Sequence, residues 1–411
     1  MPGKTINFKR RTWLYINLCP ACRNEQLDVF YTVDNLPVHS VLNLKTCEQA
    51  RGYTTGQLIL TFCPLCGFIF NSAYNSKLQE YSCECEESQA FSATFNHFAH
   101  TLAQSLVKRY NLYNKKIIEI GSGKGEFLAT LCELGNNRGI GFDPAYVPGR
   151  LSDEALKRIH FIRDFYSEKY NEYKADFICC KMTLEHISDT GRFIRTLRQT
   201  VGDNPDMIVF FQIPDVNRIL DFYSFEDIYY EHCSYFSAGS LARLFRSQGF
   251  DILDLRREYA DQYLVLEAKP QDGNSSSSKT HLLENDLAEL TKKVDDFPVK
   301  VRKTLEYWRE KLLQIKANNH KVVIWGSGSK GVSFLTTLKI EQEIQYVVDI
   351  NPYRQGTYMA CTGQQIMAPE FLQQYRPQYI IIMNSIYRKE IQTELDRLGV
   401  HSQLITMEDA L

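Results

Sequence analysis

Short apolar runs closed by glycine or an acid recur along the chain, and apolar residues at helical spacing follow several of them. Ile117–Ile120, Gly139–Phe142, His160–Arg163, Phe177–Cys180, Met207–Ile213 and Tyr263–Ala268 have the length and bulk of strands. After the first of these, Phe127, Leu128 and Leu131 open a helical pattern. Strands alternating with helices predict an α/β fold. A second series starts in Lys321-Val-Val-Ile-Trp-Gly326, continues through Val347-Val-Asp349 and Ile380–Met383, and ends in a helix. Between the two series, Asp272-Gly-Asn-Ser-Ser-Ser-Ser-Lys279 has the composition of a flexible linker. His281–Ala317, charged with spaced leucines, predicts one or two helices broken or offset at Pro298. Upstream, Leu78–Tyr110 reads as mainly helical, with Phe91, Phe95 and Phe98 as a core stripe. These changes of pattern divide the chain into a module over 1–80, a central domain over 81–270, and a linker, helix and second α/β domain over 271–411.

The glycines add chemistry to the pattern. Glu119-Ile-Gly121-Ser122-Gly123-Lys-Gly125 turns a strand into a helix, and its glycines permit positive φ and let a ligand approach the backbone. Asp143 ends the next strand twenty residues beyond Gly123, the distance at which an acid in a βαβ unit reaches ribose hydroxyls. Gly326-Ser327-Gly328-Ser329-Lys330-Gly331 repeats the idea with dinucleotide spacing, and Asp349 closes its following strand.

Composition narrows the classes. The chain of 411 residues is 44% hydrophobic and 23% charged, with a formal net charge of −2. No basic stripe points to nucleic acid and no run points to a membrane, so the chain is expected to be cytoplasmic. Twelve cysteines in that setting suggest reduced thiols and metal. Cys19-Pro-Ala-Cys22 and Cys63-Pro-Leu-Cys66 are two C-x-x-C knuckles, the donor set for a closed structural Zn2+ shell. Cys47, Cys83 and Cys85 fall outside that pairing, and His39 between the knuckles reads as a loop residue.

The most unusual stretch is Asp221–Phe236, where seven aromatics surround Glu231 and His232. An imidazole can take and return a proton near neutrality, and a neighbouring carboxylate or phenol can orient it. Asp176–Ile187 is a strand running into a loop that carries Lys181, Glu185 and His186, and Asp164 follows the strand before it.

Glu119–Gly125 resembles motif I of class I methyltransferases, which bind S-adenosylmethionine. The whole order resembles three-domain sugar C-methyltransferases, which act on nucleotide-linked keto-deoxysugars. That likeness rests on the two knuckles, Ile118–Gly125, Tyr230-Glu-His-Cys-Ser-Tyr-Phe236, Gly326–Gly331, and Val348-Asp-Ile-Asn-Pro352 with Gln355-Gly356. It implies a zinc module, a Rossmann-like S-adenosylmethionine domain and a Rossmann-like terminal domain that helps hold the nucleotide sugar.

Residue by residue, the resemblance implies His232 as base, with Tyr229, Glu231 and His186 beside it. Tyr81 is the one tyrosine in a segment where relatives carry several, and Ala360-Cys361 stand where relatives tend to have Pro-Gly. Cofactor contacts are expected from Glu119, Gly121, Ser122, Gly123, Gly125, Phe127, Asp143, Asp164, Lys181 and Glu185. Substrate contacts are expected from Gly326, Ser327, Gly328, Ser329, Lys330, Asp349, Asn384, Tyr387 and Arg388. The expected partner is a nucleotide-diphosphate sugar, with the protein a monomer or homodimer. Two other readings stand beside this one: a methyltransferase for RNA, protein or another small molecule, and an NAD-dependent oxidoreductase using Gly326–Gly331 and Asp349.

Overall fold

A computed structural model describes residues 17–79, 84–271 and 279–410. Tyr81, Cys83 and residues 272–278 of the serine-rich linker lie outside the described residues. In chain order the strands are β1 (Asp28–Pro37), β2 (Thr55–Phe62) and β3 (Ile69–Asn71), then β4 (Lys116–Ile120), β5 (Arg138–Phe142), β6 (Ile159–Ile162), β7 (Phe177–Lys181) and β8 (Ile208–Pro214). There follow β9 (Ser234–Tyr235), β10 (Phe250–Glu258), β11 (Tyr263–Pro270), β12 (Val322–Trp325), β13 (Tyr346–Val348), β14 (Gln365–Met367), β15 (Tyr379–Ile382) and β16 (Gln403–Thr406).

The central sheet runs β10-β11-β8-β7-β4-β5-β6, parallel from β6 through β8 and closed by antiparallel β11 and β10. Strand β4 sits inside this sheet with helices on both sides, which is why Lys116-Ile-Ile-Glu-Ile120 is apolar without strict alternation. Ile118 and Ile120 enter one core with Phe211 and Leu264, while Ile117 enters the opposite core with Leu128 and Phe177. The terminal sheet is wholly parallel in the order β14-β13-β12-β15-β16. Both sheets place their glycine turns at the carboxyl end of the strand where the order reverses, β4 and β12, which is where ligands enter open α/β sheets.

The N-terminal sheet, β1-β2-β3, gains its fourth strand from β9, far along the chain. Its apolar face joins a core shared with the C-terminal part: Leu36, Leu58 and Phe62 belong to one cluster with Phe297, Trp308 and Phe334. Leu287–Ala317 is one continuous helix, so the break expected at Pro298 does not occur. Its buried residues Leu290, Val294, Phe297, Val301, Thr304, Trp308, Leu312 and Ile315 recur every three or four positions and keep one face on that core. Pro298 lacks one backbone donor, but Val294, Phe297 and Val301 anchor the turns on either side, and Phe297 meets Phe30 and Tyr31 of β1 edge-on.

A second boundary also moves. The helix expected over 78–110 covers Ala93–Arg109, because Ser92 caps it by accepting from Phe95 N at 3.2 Å. Phe91 therefore leaves the stripe and packs near Tyr353, whereas Phe95 and Phe98 contact Tyr259. Among the described residues no helix is long and apolar enough to cross a membrane.

Candidate active site

The first glycine turn is shaped by its own crowding. Gly121, Gly123 and Gly125 all adopt positive φ. A Cβ on Gly121 would stand 2.0 Å from Thr183 Oγ1, and one on Gly125 would stand 2.5 Å from Phe161 Cζ. Asp143 ties the turn to β5: its carboxylate accepts from Gly123 N and from Ala145 N, each at 2.8 Å. Burial raises its pKa, opposed by these two bonds. Glu119 is buried with Oε2 unpartnered, and the Ser122 hydroxyl is also buried without a partner. Burial pushes the Glu119 carboxyl up to about 8, against the pull of the nearby Lys181 ammonium. Lys181 lies over the rings of Phe95 at 5.3 Å and Phe127 at 5.5 Å. Orphaned polar atoms around a glycine cradle fit the amino-acid half of S-adenosylmethionine. Asp164 lines the same cavity, but its carboxylate accepts from Phe165 N, Tyr170 Oη and Lys169, which hold its pKa below the usual range.

The Tyr-Glu-His stretch is held from both sides. Asn71 N donates to Cys233 O at 3.0 Å as β3 pairs with β9. Tyr230 is fully buried, and its hydroxyl accepts from Asn75 N at 2.8 Å. Glu231 accepts from Ser40 N at 3.0 Å and from the Ser40 hydroxyl, so the loop after β1 grips it. Burial raises its carboxyl to about 7, with the Ser40 and Ser329 hydroxyls pulling the other way. His232 projects into the cavity with its ring 4.1 Å from that of Tyr229 and 4.8 Å from that of His186. Burial, with His186 adding to it, keeps the His232 pKa well below its ordinary value, and burial lowers that of His186 to about 4. Burial moves the Tyr229 phenol the other way, well above its ordinary value. A neutral imidazole and a protonated phenol therefore face the cavity together.

The terminal domain supplies the far wall. Gly326 has φ +111°, Gly328 precedes the helix Ser329–Leu338, and Lys330 pairs with Asp227 at 2.7 Å. Asp349 accepts from Ser327 N, Ser327 Oγ and Asn351 N, bracing this turn much as Asp143 braces the first. Arg354, which the sequence reading did not single out, donates to Ser327 Oγ and Ser327 O and leaves Nη1 buried without a partner. Asn384 and Gln262 exchange side-chain hydrogen bonds, and Tyr387 donates to Gln89 while accepting from Tyr259, which brings the terminal domain onto the central one.

One cavity of about 1870 Å³ runs between the two glycine turns. Small-molecule pockets occupy roughly 300–1,000 Å³, so there is room for two ligands side by side. Of the expected residues, Glu119, Gly121, Ser122, Gly123, Phe127, Asp143, Asp164, Lys181, Glu185, His186, Tyr229, His232, Gly326, Gly328, Ser329, Lys330, Asp349, Asn384 and Tyr387 line it. Gly125, Glu231, Ser327 and Arg388 do not; Glu231 is bonded to Ser40 and Ser327 to Asp349. His39, read as a loop residue, is buried at the cavity beside Cys85.

The four knuckle cysteines converge, with their sulfurs within 4.8 Å of one another and two Sγ–Sγ separations of 3.6 Å. Zn–S bonds of about 2.3 Å in a tetrahedron place sulfurs roughly 3.8 Å apart, so the set fits a tetrahedral ion. Cys19, Cys63 and Cys66 pack in a core with Phe68 and Phe236, next to β9.

A family model described as a methyltransferase domain matches residues 95–255, and one described as a C-methyltransferase C-terminal domain matches residues 265–405. The C-methyltransferase NovU of Streptomyces niveus is 25% identical over 288 residues, which are 67% of this chain and 67% of that protein. Among solved structures, the 1,6-didemethyltoxoflavin-N1-methyltransferase of Burkholderia thailandensis, with bound 1,6-didemethyltoxoflavin and S-adenosylhomocysteine, is 18% identical. It covers 42% of this chain and 79% of that one, with a TM-score of 0.34. An O-methyltransferase family protein of the same organism is 16% identical over 44% of this chain and 59% of its own, with a TM-score of 0.32. The matched domains, together with the sheet order and the glycine–acid turn, define an S-adenosylmethionine-dependent methyltransferase. The terminal domain carries the match to the C-methyltransferase C-terminal domain, and the chain is similar to a C-methyltransferase over about two thirds of its length.

Proposed function

We propose that this enzyme methylates C3 of a nucleotide-linked 4-keto-deoxysugar through an enolate. The observation that carries the reading is His232, buried and neutral, beside the protonated Tyr229 in a cavity open to both glycine turns. A sugar carbon is not a nucleophile until the proton next to the ketone is gone. His232 takes that proton, and the imidazolium formed lies near the carboxyl of Glu185. Tyr229 donates a hydrogen bond to the oxygen on which the enolate charge develops, and His186 stands beside His232 to support it. S-adenosylmethionine, when bound, supplies an electrophilic methyl on a sulfonium. Glu119, Gly121, Ser122 and Gly123 would hold it, and its methyl would pass to the C3 carbon with the C–S electron pair left on sulfur.

The terminal turn is read as the diphosphate site. A helix N-terminus, Lys330 and the unpartnered Nη1 of Arg354 supply donors and positive charge on one wall. We assign Cys19, Cys22, Cys63 and Cys66 to a structural Zn2+ with no part in the chemistry, and a reducing, cytoplasmic setting belongs to the same reading. Mass spectrometry of a panel of nucleotide 4-keto sugars incubated with enzyme and S-adenosylmethionine tests it. One or more should gain a methyl on carbon, with the C3 proton lost. Methyl transfer only to oxygen or nitrogen of other acceptors would overturn the proposal.

A further inference from the structure

Three metal-capable side chains meet where β7 runs out and the Tyr-Glu-His stretch crosses it. Glu185, His186 and His232 place one ligand atom each within 4.8 Å of the others. Glu185 is only 2% exposed, lies at the cavity wall, and neither of its carboxylate oxygens has a hydrogen-bond partner or an ion pair. A carboxyl removed from water with nothing to bind is costly. Its two oxygens are therefore available to a cation that enters between it and the two imidazoles. Two imidazoles and one carboxylate are the donors that first-row divalent ions accept while keeping positions open. With metal–ligand bonds of about 2.1 Å, ligands lie roughly 3.0 Å apart at right angles and roughly 4.2 Å apart when opposite. Small side-chain rotations would bring the three atoms to those separations.

We propose that Glu185, His186 and His232 form a second cation site, separate from the cysteine cluster, which takes a divalent first-row transition ion and so silences His232 as a base. An imidazole nitrogen that holds a metal ion has no lone pair left for a proton, so occupancy and proton removal exclude one another. The silencing half rests on the reading of His232 as base; the binding half does not.

The test uses the full chain with zinc in the cysteine cluster and Co2+ as the probe, followed by calorimetry and visible absorption. One equivalent of Co2+ should bind beyond the zinc, with bands of nitrogen and oxygen ligation and no thiolate charge-transfer band. Glu185→Gln and, separately, His186→Asn should weaken that equivalent by at least about 10–100-fold, the cost typical even of outer partners of a metal site. Zinc content and circular dichroism report that each variant folds. No second equivalent in the wild type, or wild-type affinity in both variants, would overturn the site. In a companion measurement, exchange of the substrate C3 proton with deuterated water should stop as Co2+ saturates and return on mild chelation. Exchange that persists at full occupancy would overturn the silencing. A wild type that never exchanges would overturn the proposed function while leaving the Co2+ result to stand by itself.

Discussion

At His232 the surroundings decide the chemistry more than the residue type does. Burial holds it neutral far below the pH at which a free histidine charges. His232→Asn keeps a polar side chain but cannot shuttle a proton. Turnover should fall about 10²–10⁴-fold, the usual cost of losing a general base, with S-adenosylhomocysteine affinity unchanged. Deuterium exchange at C3, run with the inert product cofactor, reads proton removal alone; a variant that exchanges at the wild-type rate would move the base elsewhere. Glu185 carries a pH prediction. Its carboxyl titrates near 4.5 when unfolded and at about 8 in the fold, raised by burial. Between those values the folded chain keeps a proton that the unfolded chain has lost, so stability falls as pH rises and the loss is complete above about 8. Gln copies the neutral form. In metal-free, ligand-free protein the Tm of Glu185→Gln should match the wild type at low pH, exceed it increasingly up to pH 8, and stay constant beyond; a gap flat across the range would count against a raised pKa. The identities of these residues could be read from the chain, because an acid and a histidine at a strand tip stand out. Their protonation states could not, because those depend on which distant segments remove the water. Arg354 was missed for the same reason: it falls between Pro352 and Gln355, outside both motifs, and only the fold shows its unpartnered nitrogen.

At the scale of elements, β9 links the cysteine module, proposed to hold zinc, to the residue proposed as the base. The two residues of β9 complete the N-terminal sheet immediately after His232, and Ser40 grips Glu231 from the same side. Cys63→Ser, or removal of zinc by a strong chelator, should therefore lower soluble yield and also reduce kcat, since a closed thiolate shell contributes folding energy to the sheet that fixes His232. Soluble protein of full kcat with zinc absent by metal analysis would disprove that link. Strand and glycine-turn positions were legible because buried parallel strands are short and uniformly apolar. Helix limits were less so. Ser92 stops the helix that apolar spacing extends back to Leu78, and Pro298 fails to stop Leu287–Ala317 because aromatic packing on β1 outweighs one missing hydrogen bond. Neither capping nor long-range packing is visible in a periodicity.

At the scale of the whole molecule, two sheets of similar plan face one cavity, each offering a glycine turn braced by an aspartate. Arg354→Gln should weaken binding of a nucleoside diphosphate by about 1.5–3 kcal/mol, the range for hydrogen bonds involving a charged group, and leave S-adenosylhomocysteine binding as it was. Calorimetry with each ligand separates the two turns; equal losses for both would mean that Arg354 supports the fold and not a ligand.

The pairing of β3 with β9 also has a consequence for birth order. A ribosome delivers the N-terminal sheet long before Ser234 and Tyr235, and longer still before Trp308, whose cluster covers its other residues. Until then β3, an Ile-Phe-Asn strand buried at every position in the finished protein, emerges as a bare edge of the kind that pairs with other chains. Vectorial synthesis thus leaves the first sheet waiting on later segments, and a chain truncated before β9 is expected to aggregate where the full chain stays in solution, as sedimentation of the two would show.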